Sequence, residues 1–347
     1  MDSTQESGGA SSLGEAVLWV AVTDKIGHVN QCIALTDALG VAPARMKRIP
    51  GFNLRDRVGA KILRRFQGFV QSLSLLRGLP AGPLVLVISG RSSEYAAKLL
   101  RWRLGKRLFV VSVGPPINFP EVVDVAIMNQ ASVPKWQRRR AKLGAAVTLE
   151  EIPICGAMAR RFERPSLPRT HERRCLAVFV GGENKHFALV GEAFTSAMAR
   201  IRDLACSGAA EVEIVLSRRT ASRTEEIIRE IFAGTPATVH GREDSGRYRA
   251  LLGTADVFVV TPDSVTMLSE VCLTGKPVFA LELETLPGSD GEGERLVDEM
   301  VKRDVVCRFD GDIESTSPRE RLDEAARIAP VVAARIREWS GAGNGSD

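Results

Sequence analysis

The chain is predicted to be an α/β protein of two Rossmann-like domains facing a central cleft. Three observations predict it. At 347 residues the chain exceeds what one hydrophobic core organises. Short apolar runs alternate with helical periodicities through both halves, the pattern of parallel sheets. Polar, glycine-bearing loops follow the apolar runs directly, and in open parallel sheets such loops meet at the carboxyl ends of the strands, where ligands bind.

The expected division is a disordered tail over 1–16, a first domain over 17–165, a second over 166–316 and a helical terminal segment with a tail over 317–347. In the first domain, apolar runs at 16–22, 84–88, 107–113 and 123–128 read as strands. Helices are expected over about 30–39 and about 92–103. Between them, Leu54, Val58, Ile62, Phe66, Phe69, Val70 and Leu73 recur at helical spacing, with Arg55, Arg57, Lys61, Arg64 and Arg65 in the gaps. This is a basic amphipathic helix. The charges and prolines of 160–168 resist regular structure and mark a linker. In the second domain, strands are expected at 175–180, 212–216, 257–260 and 277–280, with helices at 187–205, 222–232 and 246–253. The segment 317–339 has helical character despite Pro330.

An apolar content of 44% and a charged content of 26% are ordinary for a globular protein. No apolar run reaches the roughly 18 residues of a membrane span. The serine- and glycine-rich start has neither the cationic nor the Arg-rich pattern of a signal or transit peptide. Six cysteines without CxxC spacing argue against zinc and for reduced thiols, hence a cytoplasmic location. Charge is divided unevenly. Residues 1–165 hold 24 Lys/Arg against 12 Asp/Glu, and residues 166–347 hold 23 against 30. Within 45–77 nine cations face Asp56 alone. Such a face suits either a solvated helix packed on its own domain or docking on an anionic membrane surface. Nucleic acid is not an expected partner, because no nucleic-acid motif or aromatic platform accompanies the charge.

The most informative segment is 257–270, closed by Gly275, Lys276 and Pro277. It reads as a buried strand, a short loop and a helix whose first turn offers Asp263, Ser264, Val265 and Thr266. Unpaired amides and the positive dipole end make such a start an anion site. Glu270, deeper in the helix, is placed to reach ribose hydroxyls. Gly181 and Gly182 permit close backbone approach, Lys185 supplies a point charge, and Ser217, Arg218 and Arg219 add a hydroxyl and planar forks for phosphate oxygens. His186 contacts the phosphate or orients Lys185. Together these residues suit a diphosphate. Each also has an ordinary alternative as a surface cation, a cap or an internal partner. Neither the GxGxxG fingerprint nor the Walker pattern occurs, and no DxD-like pair sits in a suitable loop, so no cofactor and no metal are expected.

The elements Thr23-Asp24-Lys25, Gly27-His28, Asn30-Gln31, Ser89-Gly90-Arg91, Gly181-Gly182 with Lys185-His186, Ser217-Arg218-Arg219-Thr220, Thr261 with Asp263-Ser264-Val265 and Met267, Ser269-Glu270 and Gly275-Lys276-Pro277 resemble the ELM family. That family is named after a plant mitochondrial fission factor. The resemblance runs in unbroken order over about 17–310 and departs from the usual pattern at Glu183-Asn184 and Pro262. It implies a GT-B-type fold like that of nucleotide-sugar glycosyltransferases, with the terminal helix crossing back to the first domain. The last motif is similar to the donor loop of the GlcNAc transferase that makes lipid II. On this basis the expected activity is metal-independent transfer of a sugar from a nucleoside-diphosphate sugar, a UDP-sugar above all, to an acceptor at a membrane surface. His28 or Asp24 is the expected general base. Lys25, Asn30, Ser89 and Arg91 are the expected acceptor contacts. A nucleotide-sugar epimerase and a non-catalytic, membrane-recruited scaffold are the alternatives.

Overall fold

The structure, a computed structural model, describes residues 13, 16–23, 25–49, 70, 72–143, 147–160, 173–184, 186–314 and 320–343. Asp24, Lys185, most of the basic amphipathic repeat and the expected linker lie outside the described residues. The chain divides into two compact units, Met1–Ile154 with Glu324–Asp347, and Cys155–Asp323. The first boundary directly follows a strand, ahead of the expected linker.

The first unit is a parallel sheet of β1 (Val17–Thr23), β2 (Arg45–Ile49), β3 (Leu84–Ser89), β4 (Leu108–Val113), β5 (Val125–Asn129) and β6 (Glu150–Ile154), in the order β2-β1-β3-β4-β5-β6. Strands β3 and β4 are buried at every residue, as expected of central strands covered on both faces. Edge strand β2 alternates between half-buried and exposed positions and carries Arg45, Lys47 and Arg48, which discourage edge-to-edge pairing. Part of the basic segment is therefore strand. Helices α1 (Ile26–Ala38), α2 (Ser93–Leu104) and α3 (Val133–Leu143) connect the strands. The terminal helix, numbered last in chain order, belongs to this unit and packs beside α1.

The second unit is a parallel sheet of β7 (Cys175–Val180), β8 (Glu211–Leu216), β9 (Thr238–His240), β10 (Val257–Val260), β11 (Val278–Ala280) and β12 (Cys307–Arg308), in the order β12-β11-β10-β7-β8-β9. Its helices are α4 (Glu192–Cys206), α5 (Ser222–Ile231), α6 (Ser245–Thr254), α7 (Val265–Cys272) and α8 (Glu292–Lys302). The terminal helix is α9 (Glu324–Gly343). Its indole Trp339 donates to the Lys106 carbonyl at 3.0 Å and lies against Phe109, while Arg335 pairs with Glu150 at 2.7 Å. In each sheet the strand order reverses once, between β1 and β3 and between β7 and β10. A reversal leaves the two flanking connections on opposite faces and opens a crevice at the carboxyl ends of that strand pair.

Candidate functional site

The reversal in the second unit brings together the loops after β7, β8 and β10, and Asp263 ties them. Its Oδ2 accepts the Gly182 N–H at 2.9 Å and lies 3.4 Å from an Arg219 guanidinium nitrogen. Its carbonyl accepts the Asn184 amide at 2.9 Å. The Gly181 N–H donates to Thr261 Oγ1 at 2.8 Å, and Thr220 Oγ1 donates to the Gly181 carbonyl at 2.5 Å. The glycines are needed for this closure. A Cβ on Gly181 would fall on the Asp263 carboxyl, and one on Gly182 on the Arg219 carbonyl, both well under 3 Å. Burial pushes the Asp263 pKa above the usual carboxylate range, against the opposing pull of its hydrogen bonds and of Arg219. One carboxyl oxygen, Oδ1, is buried without a partner.

Directly after this knot α7 begins. Ser264 is its N-cap, but the hydroxyl makes no capping bond. The first N–H committed to the helix is that of Leu268, to the Ser264 carbonyl at 3.0 Å. Among the described residues nothing accepts the N–H groups of Val265, Thr266 or Met267, and Ser264, Val265 and Thr266 are half-buried. The amides at the positive end of α7 thus have no acceptor among the described residues. In the neighbouring loop, Ser217 Oγ accepts the Arg219 N–H at 3.2 Å and closes a tight turn. Arg218 on that turn is exposed and has no hydrogen-bond or ion-pair partner among the described residues. His186 is fixed by Asn184, whose side-chain oxygen accepts its N–H at 2.7 Å, and its ring Nδ1 lies 3.1 Å from Ser289 Oγ and 3.4 Å from Asp290 Oδ1. His186, Asp290 and Glu292 each place a ligand-type atom within 4.8 Å of the others, and Asp290 is exposed.

Glu270 sits deeper. It is buried, and its Oε2 accepts the Tyr248 hydroxyl at 2.6 Å, with Tyr248 packed on Phe179. Burial raises the Glu270 pKa, and burial together with the neighbouring carboxylate raises that of Tyr248. Tyr248 is a partner the sequence did not single out, since a lone tyrosine on a helix carries no local signal of what it faces. Tyr248→Phe leaves the Glu270 carboxyl without its buried donor and is expected to lower the unfolding free energy by about 1–3 kcal/mol, read by urea denaturation.

The reversal in the first unit gathers the second set of expected residues. His28 lies in the first turn of α1, its Nδ1 2.8 Å from Thr23 Oγ1 at the end of β1. Gly90, with φ +90, closes against both, and a Cβ there would meet Thr23 and His28 at 2.6 and 2.8 Å. Ser89 is buried at the end of β3 and donates to the Val113 carbonyl at 2.8 Å, so its hydroxyl serves the sheet. Lys25 is the exposed N-cap of α1, Asn30 is half-buried on it, and Arg91 is exposed with its carbonyl accepting from the Asn118 amide at 2.9 Å. Glu94, three residues past Arg91, carried no expectation from the sequence. It is buried, and its carboxylate accepts the N–H groups of Ile117, Asn118 and Phe119 at 2.9, 2.6 and 2.7 Å, which shapes the loop after β4.

Burial, and then the Lys25 ammonium, hold the His28 pKa below its ordinary 6.5. The imidazole is therefore neutral at pH 7. Because the folded value is depressed, the associated stabilisation is present above pH 6.5 and lost as pH falls through the folded value. His28→Gln is expected to reduce the loss of unfolding free energy between about pH 7.5 and about pH 5.5, measured by urea denaturation beside the parent chain.

Comparison with known proteins agrees with this architecture. The family model described as Mitochondrial fission ELM1 matches residues 26–336. The mitochondrial fission protein ELM1 of Arabidopsis thaliana is 25% identical over 291 residues, which cover 75% of this chain; the chain spans 66% of the plant protein, slightly under two thirds of its length. Among solved structures, the UDP-GlcNAc 2-epimerase of Methanocaldococcus jannaschii superposes with a TM-score of 0.55 at 10% identity, covering 91% of this chain and 99% of that one. The UDP-GlcNAc 2-epimerase of Neisseria meningitidis, solved bound to UDP-GlcNAc, gives 0.56 at 9% identity, covering 92% and 99%. At such identities the likeness is one of fold, and it places the two α/β units in the GT-B class. With a match that takes in nearly the whole chain and every motif of both strand-order reversals from Ile26 onward, the chain belongs to the Mitochondrial fission ELM1 family.

Proposed function

We propose that the chain binds a nucleoside-diphosphate sugar, a UDP-sugar above all, at the carboxyl ends of β7, β8 and β10 and transfers the sugar to an acceptor at a membrane surface. The observation that carries this reading is the uncapped start of α7, with free amides at Val265 and Thr266, set behind a glycine-closed knot whose neighbouring turn presents an unpaired Arg218. In this reading the amides of Ser264, Val265 and Thr266, with Lys185 and Arg218, take the diphosphate and stabilise it as it departs. Arg219 and Asp263 hold the loops in register, Ser217 shapes the turn, and His186 borders the phosphates. Glu270 takes the ribose, exchanging its Tyr248 hydroxyl for a sugar hydroxyl. Neutral His28, or Asp24, is the base for the acceptor hydroxyl, and Lys25, Asn30 and Arg91 belong to the acceptor side, with Ser89 bonded to the sheet behind Arg91. No step calls on a metal. Residues 45–77 favour an anionic membrane surface, consistent with a cytoplasmic protein held peripherally.

A second reading has one specific support, the fold likeness to UDP-GlcNAc 2-epimerases over more than nine-tenths of the chain. An epimerase would exchange a sugar carbon-bound proton with solvent in the absence of acceptor. A scaffold without catalysis would bind lipid or protein in a way insensitive to changes at His28, Lys185 and Glu270.

Calorimetric titration with UDP and UDP-GlcNAc tests the proposal. Binding is expected with either ligand, and Arg218→Ala is expected to weaken it about 10- to 100-fold, the loss of one charge-assisted hydrogen bond of about 1.5–3 kcal/mol. Absence of binding across a panel of nucleoside-diphosphate sugars sinks the proposal. Deuterium incorporation into the sugar without acceptor moves it to the epimerase reading.

A further inference from the structure

Helices α2 and α3 lie on one face of the first sheet. Ala96, Ala97, Leu100 and Leu104 of α2 and Trp136 of α3 share a single apolar cluster with Leu86 and Ile88 of β3. The opposite side of this helix layer faces solvent and has an unusual composition. Trp102 on α2 is 78% exposed, more than any other large hydrophobic residue in the described chain. Half-buried Leu99 and exposed Lys98 precede it by three and four positions on the same helical face, and exposed Arg103 and Lys106 follow it at and just past the end of the helix.

Cations dominate this layer, with Glu121 beside Lys98 at 3.7 Å. The segments 98–107 and 133–143 contain ten Lys/Arg and no Asp or Glu. The two half-buried cations are neutralised, Arg101 by Asp124 at 2.5 Å and Arg140 by Glu151 at 2.8 Å. Arg103, Lys106, Arg138 and Lys142 are exposed and make no ion pair among the described residues. Folding has thus compensated the half-buried cations and left these four in the solvent on a layer that also carries an uncovered indole.

We infer that this helix layer, with Trp102 as the apolar anchor and the exposed Arg103, Lys106, Arg138 and Lys142 as its cations, docks on an anionic lipid bilayer. An indole gains by leaving water for the headgroup boundary, where its apolar body and polar N–H are both accommodated. Cations near an anionic leaflet add attraction, each worth about fivefold in binding. A nucleic-acid strand is the poorer match, because single-stranded recognition needs several stacking rings and, among the described residues, Trp102 is the one large exposed aromatic on this layer. Among the described residues no helix is long and apolar enough to cross a membrane, so the contact is with the membrane surface. The inference does not rest on nucleotide-sugar binding.

Co-sedimentation of the full chain with vesicles tests the inference, using phosphatidylcholine alone or mixed with phosphatidylglycerol, at low and at high salt. Binding is expected with the anionic vesicles and is expected to fall at high salt. Trp102→Ala is expected to lower the partition coefficient by about tenfold or more, whereas Trp102→Phe retains most of it. The pair Arg103→Glu and Lys106→Glu is expected to lower it by about 25-fold or more. These positions are exposed, and an unchanged melting temperature verifies that each variant is folded. Equal binding to neutral and anionic vesicles, no binding to either, or an unchanged partition with Trp102→Ala overturns the inference. So does capture by double-stranded DNA or RNA without vesicle binding.

Discussion

Gly182→Ala is expected to destabilise the second unit by about 3 kcal/mol and to abolish nucleotide-sugar binding. The added methyl would lie well under 3 Å from the Arg219 carbonyl, a backbone atom that no rotamer change can move aside. Relief requires the 217–220 turn to retreat from β7, which breaks the Thr220 bond to the Gly181 carbonyl and shifts Arg218. A melting temperature lower by roughly 6–12 °C is the corresponding readout for a unit of this size. Gly234→Ala is the control. Gly234 has φ +71 but open space around it, so alanine there meets only the left-handed backbone penalty of about 1 kcal/mol. If both variants melt alike and Gly182→Ala still binds ligand, the packing account of the three-loop knot is wrong.

Glu94→Ala is expected to cost the first unit about 4 kcal/mol, since three backbone N–H groups lose one buried acceptor and each unsatisfied donor is worth about 1–3 kcal/mol. Elsewhere in its backbone, the Ile117 carbonyl accepts from exposed Arg139 at 2.8 Å and the Phe119 carbonyl from the Val122 N–H at 3.3 Å, but neither replaces an acceptor for the three N–H groups. Asn118 reaches Arg91 through its side chain, and Phe119 packs edge-on against Tyr95 on α2. Glu94→Gln keeps one acceptor oxygen and is expected to lose roughly half as much. Differential scanning calorimetry of the two variants beside the parent chain measures this, and hydrogen exchange at residues 117–119 localises it. Parent-like melting of Glu94→Ala would mean that the loop finds other acceptors.

The central strands were legible because strands covered on both faces must be apolar throughout. Leu84–Ser89, Leu108–Val113, Cys175–Val180 and Val257–Val260 stand where the apolar runs predicted them. The strands at Arg45–Ile49, Glu150–Ile154, Thr238–His240 and Cys307–Arg308 were not anticipated. All four lie at or next to a sheet edge, where one side of the backbone or one face meets solvent and charged side chains are tolerated. Helix α3 was missed for a related reason: with Trp136 as its one buried residue, it has too narrow an apolar stripe to show a period. The candidate site was legible as residue types after strands. That Gly181 and Gly182 are glycines for the sake of Asp263 and Arg219, that Tyr248 occupies Glu270 and that Glu94 clamps a loop were not, because these partners are separated in sequence by 22 residues or more.

Periodicity and spacing alone determined the α/β class, the doubling of the parallel sheet and the set of polar loops that follow the strands. These follow from chain-local physics, in which burial on two faces demands an apolar strand and a helix start leaves amides unpaired. Only the tertiary structure decided which loops meet, which side chain each polar group is committed to and which cations remain exposed. Those outcomes depend on strand order, and strand order is set by the packing of whole helices across the sheets, a quantity no short window of sequence contains.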